Sequence, residues 1–150
     1  MAETNLFSGE FNFDGGTPGF RGRARRIGDA IGAERIGATV YELPEGERVC
    51  PYHYHHGVEE WVLVLDGTPT VRTPDGEQTL RRGDVTCFPA GPAGAHAVAG
   101  PGTVVLISAN RAPSISVYPD SDKLGMRPGG EEDRLNFLRR DAVEYLEGES

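Results

Sequence analysis

Every apolar run in this chain is short, and nearly all of them end at a Gly or Pro. The longest, Trp61-Val62-Leu63-Val64-Leu65 and Val104-Val105-Leu106-Ile107, have strand lengths. Gly and Pro are the worst residues for a helix interior. The chain holds 21 Gly and 11 Pro, well above their usual combined share of about 12%. Such a chain is either disordered and of low complexity, or an all-β domain with many tight turns. The placement of Gly and Pro decides between the two.

Expected strands are Ile36 to Leu43, Glu60 to Leu65, Pro69 to Thr73, Glu77 to Leu80, Val85 to Phe88, Ala95 to Ala99, Val104 to Ala109 and Ile115 to Tyr118. Turn residues stand between them. Pro74-Asp75-Gly76 reads as a hairpin turn, because Pro presets φ and Asp-Gly tolerates positive φ. Short strands at regular spacing point to a β-sandwich or barrel. The whole chain, 1–150, reads as one domain with a barrel core of about 36–118. The N-terminal arm, 1–35, is expected to be irregular, with one helical turn over Asp29 to Arg35 capped by Asp29. The extension, 119–150, is expected to run as a loop from Pro119 to Gly130, then a short extended stretch, then a helical turn after Asp141.

Charge narrows the function. Fifteen Lys and Arg against 23 Asp and Glu give a net charge of −8, which argues against a nucleic-acid binder. Arg21, Arg23, Arg25 and Arg26 form the one basic cluster and read as a solvated strand edge rather than an anion site. No apolar run approaches the roughly 20 residues of a membrane span, and the first residues do not read as a signal peptide. A cytoplasmic protein is expected, with Cys50 and Cys87 as buried thiols rather than a bridge.

The segment Glu60 to Leu65 is apolar at every position after Glu60. Val62 and Val64 share a face with Glu60, while Trp61, Leu63 and Leu65 occupy the other. Both faces need cover. One is assigned to a barrel interior, and the other raises the expectation of a homodimer.

Of the four His, three lie together in Pro51-Tyr52-His53-Tyr54-His55-His56-Gly57-Val58-Glu59-Glu60, and His96 follows a second Pro/Gly turn. On a strand, His53 and His55 point the same way. With Glu60 and His96 they offer three imidazoles and a carboxylate, which suit Zn, Fe, Mn, Ni or Co. His56 falls on the opposite face and is expected to be exposed. Tyr52 and Tyr54 are expected to pack.

These residues resemble the two motifs of the cupin family. Gly46, His53-x-His55, Glu60 and Gly67 match the first, with one extra residue between Gly46 and His53. Gly83, Pro89, Gly91 and His96 match the second, with a longer gap from Gly91 to His96 and with Gly100 where an Asn is usual. The resemblance covers about Ile36 to Tyr118. It implies an all-β, cupin-like double-stranded β-helix, the jelly-roll barrel. It also implies a divalent transition metal (Fe, Mn, Ni or Zn) held by His53, His55, Glu60 and His96, with Glu59 the alternative carboxylate. The expected function is a metal-dependent enzyme on a small organic substrate, by oxygenase or isomerase/lyase chemistry. A non-catalytic binding or sensing module and a structural metal barrel are the alternatives. Thiol dioxygenases of the family usually lack the Glu ligand, so Glu60 argues against that substrate class. By parity, Val62, Val64 and Val98 are expected to wall the pocket and to favour an uncharged substrate body. No residue is marked as general base.

Overall fold

The turns fall where Gly and Pro stand. A computed structural model describes residues 2–109, 112–129 and 131–149. The first strands are β1 (Phe13–Gly15), β2 (Gly22–Arg26), β3 (Ile36–Leu43), β4 (Tyr54–His56) and β5 (Glu60–Gly67). Next come β6 (Thr70–Thr73), β7 (Gly76–Thr79), β8 (Val85–Phe88), β9 (Ala97–Ala99) and β10 (Gly102–Ala109). The last are β11 (Ser114–Tyr118), β12 (Lys123–Arg127) and β13 (Leu135–Leu138). A short helix, α1 (Ile27–Ala30), follows β2. All eight expected strands are present, with bounds shifted by at most two residues.

Among the described residues, three antiparallel sheets form the jelly roll. One runs β1-β2-β3-β10-β5-β8, the second β13-β12-β11-β4 and the third β7-β6-β9. Leu43, Val62, Val64, Val71, Leu80, Phe88, Val98 and Val104 fill the space between the first and third sheets. Val62, Val71 and Val104 are fully buried, and such side chains each contribute about 1.5–3 kcal/mol by leaving water. This corrects the expectation that Val62, Val64 and Val98 wall a pocket. Val62 and Val64 share the face of Glu60, and Val98 has the parity of His96, but all three lie deeper and pack the barrel solid.

The ends carry more structure than their sequence announces. β1 and β2 extend the first sheet beyond β3. The basic cluster therefore lies on and beside a strand. Arg25 is buried and donates to the carbonyl oxygens of Asn5 and Leu6, which ties the arm down. Arg23 pairs with Glu42 across the β2–β3 register and stacks on Phe11. The helical turn starts two residues earlier than expected, and Arg26, not Asp29, stands at its cap. Within the stretch expected to be a loop, Lys123–Arg127 forms β12, because Leu124 and Met126 alternate with inward positions beside β11. The extended stretch is β13; one turn falls at Arg139–Asp141, and the turn expected after Asp141 is present as well, with Glu147 N–H donating to Glu144 O at 3.0 Å.

The outer face of the first sheet is partly covered. Leu6 and Ile27 pack on Val40, Leu63, Leu65, Val105 and Ile107. Trp61 and Val85 remain exposed at the β5–β8 edge. Among the described residues, no helix is long and apolar enough to cross a membrane.

Candidate metal centre

The four sequence-predicted ligands come together at one end of the barrel. The backbones of His53 and His96 pair directly, with His53 N–H to His96 O at 3.0 Å and His96 N–H to His53 O at 2.8 Å. His55 lies on β4 two residues on, and Glu60 opens β5. Glu60 Oε2 stands 3.5 Å from His53 Nε2, 3.0 Å from His55 Nε2 and 3.3 Å from His96 Nε2. His53 Nε2 and His55 Nε2 are 2.9 Å apart. Glu59 turns away and accepts from Trp61 Nε1 at 2.8 Å, as parity requires.

The other ring nitrogens are committed. His53 Nδ1 donates to Pro51 O at 2.9 Å, and His96 Nδ1 donates to Gly94 O at 2.8 Å. His55 Nδ1 is 2.9 Å from Ser116 Oγ. A carbonyl can only accept, so the protons of His53 and His96 sit on Nδ1 and their Nε2 atoms face inward. Metal–ligand bonds of about 2.1 Å place neighbouring donors about 3.0 Å apart at 90° and about 3.4 Å apart at the tetrahedral angle. The observed separations, 2.9–3.5 Å, cover that range. The donor set and its outer hydrogen bonds thus fit one divalent transition ion that these four residues could hold.

Electrostatics point the same way. Burial works against the charge of Glu60, but the three imidazoles outweigh it and hold the carboxyl far below its ordinary range. Burial likewise disfavours a charged His53. The Cys50 thiol, with Sγ 3.5 Å from Nδ1, and the Glu60 carboxylate nonetheless push its pKa up to about 11. Without a metal, one positive charge is drawn into the cluster.

Several supporting residues have no sequence signature. Phe88 stacks flat on His96, with centroids 3.7 Å apart and 6° between planes. Ser116 is the register partner of His55. Its one signal is a polar residue between Ile115 and Val117. The departures from the family motifs gain a purpose. The longer gap before His96 folds into a turn, Pro92–Gly94, whose last carbonyl holds His96 Nδ1. Gly100 is required: a Cβ there would lie 2.2 Å from Pro44 O. His56 is exposed, as expected. Tyr52 is buried and its ring carries Arg72 at 3.9 Å. The thiols differ from expectation: Cys87 is exposed on an edge strand and Cys50 is half-buried beside the site.

Ser116→Ala leaves His55 Nδ1 without its hydroxyl partner. Metal affinity, measured by competition with a chelator, falls about 10- to 100-fold while the fold is kept.

The cavity beside the cluster measures about 350 Å³. One wall carries Tyr41, Leu106 and Ser108 from β3 and β10. The opposite wall carries Ser114, Ser116, Arg127, Arg134 and Asn136 from the C-terminal part of the chain. Burial raises the pKa of the Tyr41 phenol, with Cys50 and Glu60 adding to the effect.

A jelly roll with two paired segments that bring three His and a Glu to its open end defines the class. The fold is the cupin-like jelly-roll barrel. Residues 39–110 match the model of the cupin domain. The chain resembles a protein from Acidithiobacillus ferrooxidans proposed by its name to be a sugar phosphate isomerase, with 27% identity and a TM-score of 0.76, over 85% of this chain and 82% of the other. It also resembles a sugar phosphate isomerase of the cupin superfamily from Silicibacter pomeroyi, with 22% identity, a TM-score of 0.74 and coverage of 84% and 82%. The polyketide cyclase RemF from Streptomyces resistomycificus shares the fold at 22% identity and a TM-score of 0.57, covering 76% and 83%. Among curated proteins, none matches this chain in sequence.

Proposed function

We propose that His53, His55, Glu60 and His96 bind one divalent transition metal (Fe, Mn, Ni or Zn), and that the protein is a metal-dependent isomerase or lyase acting on a small polar organic substrate. The observation that carries this reading is the set of committed Nδ1 atoms, which leaves three Nε2 atoms facing one carboxylate at ligand spacing. Bound there, the ion would supply a Lewis acid for a substrate carbonyl. The chain's own groups do the rest. Tyr41, its phenol kept protonated, offers an O–H donor, and the hydroxyls of Ser114 and Ser116 offer donors from the other wall. A wall of hydroxyl, amide and guanidinium groups suits a substrate rich in oxygen, which favours isomerase or lyase chemistry over oxygenation of an apolar ring. The name of the Acidithiobacillus ferrooxidans relative supports the same choice.

Metal analysis of protein purified without a His-tag tests the first part. About one equivalent is expected after reconstitution, and less than about a tenth overturns it. Anaerobic incubation with a panel of hydroxyaldehydes and hydroxyketones, followed by NMR in D₂O, tests the second part. Interconversion without oxygen is expected, and strict dependence on oxygen uptake sinks the isomerase reading.

The uncovered Trp61 and Val85 support a homodimer as well. Light scattering at micromolar concentration gives twice the 16.2 kDa chain mass, and Trp61→Glu lowers it. A wild-type mass of one chain refutes the dimer.

A further inference from the structure

We propose that the concave face of β1, β2 and β3 holds a neutral sugar ring, the polyhydroxylated part of a substrate whose reacting part lies at the His53, His55, Glu60 and His96 cluster. For the reacting part, this rests on the reading of that cluster as a metal site. The register of the first sheet builds the face. Phe13, Ala24, Tyr41 and Val104 stand opposite one another on one rung. Arg26, Thr39, Leu106 and Val62 form another. Opposed residues share a face, and Val62 and Val104 belong to the core between the sheets. Phe13, Arg26, Thr39 and Tyr41 therefore look the same way as Glu60, which stands two residues before Val62.

These residues floor a groove of about 820 Å³, to which α1 adds Asp29 and Ala30. Tyr41 lines both this groove and the cavity beside the cluster. Its phenol senses the charge of Glu60 from one side and of Arg26 from the other. Three strand spacings of about 4.8 Å and two residues of about 3.4 Å put Arg26 about 16 Å from Glu60 along the sheet. One small molecule with two parts fits that span.

Three features select a sugar. The first is balance of charge. Arg26 and Asp29 bring one charge of each sign to the groove, so an anion meets a carboxylate and a cation meets a guanidinium. A hydroxyl both donates and accepts, and a ring of hydroxyls uses both partners. The second is the neutral polar pattern. Asn12 Oδ1 accepts from Arg26 N–H at 2.8 Å, which fixes the amide and leaves its NH₂ to donate, and the Thr39 hydroxyl adds a donor and acceptors. The third is Phe13. Its ring is 53% exposed on an edge strand. A flat apolar surface beside planar, two-pronged polar groups suits a ring with an apolar C–H face and a hydroxylated rim.

NMR titration of isotope-labelled, metal-free protein with methyl α-D-glucopyranoside, methyl α-D-galactopyranoside and inorganic phosphate tests the groove. At least one glycoside shifts the amides of Phe13, Ala24 and Thr39 with a Kd of about 10 mM or tighter, and phosphate shifts none of them. Phe13→Ala and Asp29→Asn each weaken the glycoside about threefold to tenfold. No shift with either glycoside at about 100 mM overturns the groove. Equal affinity in a folded Phe13→Ala/Asp29→Asn double variant overturns it as well, as does tighter binding of phosphate. Metal-loaded protein tests the link to the cluster: the ring protons of the bound glycoside relax faster with Mn than with Zn, and equal rates overturn the link. If the protein takes no metal but the glycoside shifts the groove, the metal reading fails and the groove stands. If metal binds and neither glycoside shifts the groove, the groove alone fails.

Discussion

Glu60→Gln weakens metal binding by more than about a hundredfold, beyond the loss typical of an outer hydrogen-bond partner. The amide keeps the shape of the carboxylate but removes the one negative charge that three imidazoles face. The effect also has a pH signature. In the metal-free wild type, His53 has a pKa of about 11 against an ordinary 6.5. Its proton therefore stabilises the metal-free fold fully below about pH 6.5, and that contribution is lost as pH rises toward 11. Coordination requires the neutral ring, so binding at pH 8 expels about one proton and affinity climbs about tenfold per pH unit. In Glu60→Gln, burial still disfavours the imidazolium, and of the two groups that offset it Cys50 remains while the carboxylate is gone. His53 then binds its proton less tightly, and fewer protons are expelled. Titration calorimetry in buffers of different ionisation enthalpy reads the proton count directly. A variant that keeps its affinity within about tenfold of wild type would mean that Glu60 is not a ligand.

The barrel was legible because its signals are local. A Pro-Asp-Gly turn between Thr73 and Glu77 needs no tertiary knowledge, and β6 and β7 pair around it. The four clustered residues were legible for the same reason. The period-two alternation of His53 and His55 and the opposite parities of Glu59 and Glu60 are properties of a strand wherever it lies. What stayed hidden depends on which strands become neighbours. Parity put Val62 and Val64 on the face of Glu60, but depth along the strand decides whether such residues line a cavity or fill a core. Ser116 matters because β11 happens to lie beside β4. β12 is hidden in the sequence because Lys123 to Arg127 holds Gly125 at its centre, which reads as a loop until the neighbours on both sides are known. The strand bears on the site, since it brings Arg127 to the cavity lining. An apolar pocket for an uncharged substrate followed from the part of the chain that was legible, and the polar wall from the part that was not.

Gly100→Asn, which installs the residue usual at that point of the second motif, destabilises this protein by about 3 kcal/mol, a fall of roughly 6–12 °C in Tm. The Cβ would lie 2.2 Å from Pro44 O and 2.5 Å from Leu43 O. Neither side can yield cheaply. Gly100 N–H donates to Glu47 O at 2.9 Å, its own carbonyl accepts from Gly46 N–H at 3.4 Å, and Leu43 belongs to the buried core. Gly46→Ala is the matched control. Gly46 has a φ of 74° and nothing within 4 Å of its Cβ position, so the cost there is backbone strain alone, about 1–2 kcal/mol. Thermal unfolding of the two variants separates collision from strain, and a Gly100→Asn midpoint within about 2 °C of wild type would refute the collision. Metal content well below the transition stays at the wild-type level in both, because neither position touches Gly94 or Pro51, whose carbonyls orient His96 and His53. The missing Asn is therefore no sign of a decayed site. The close approach of the Leu43–Pro44 backbone leaves room only for glycine, and the turn keeps its shape through main-chain hydrogen bonds.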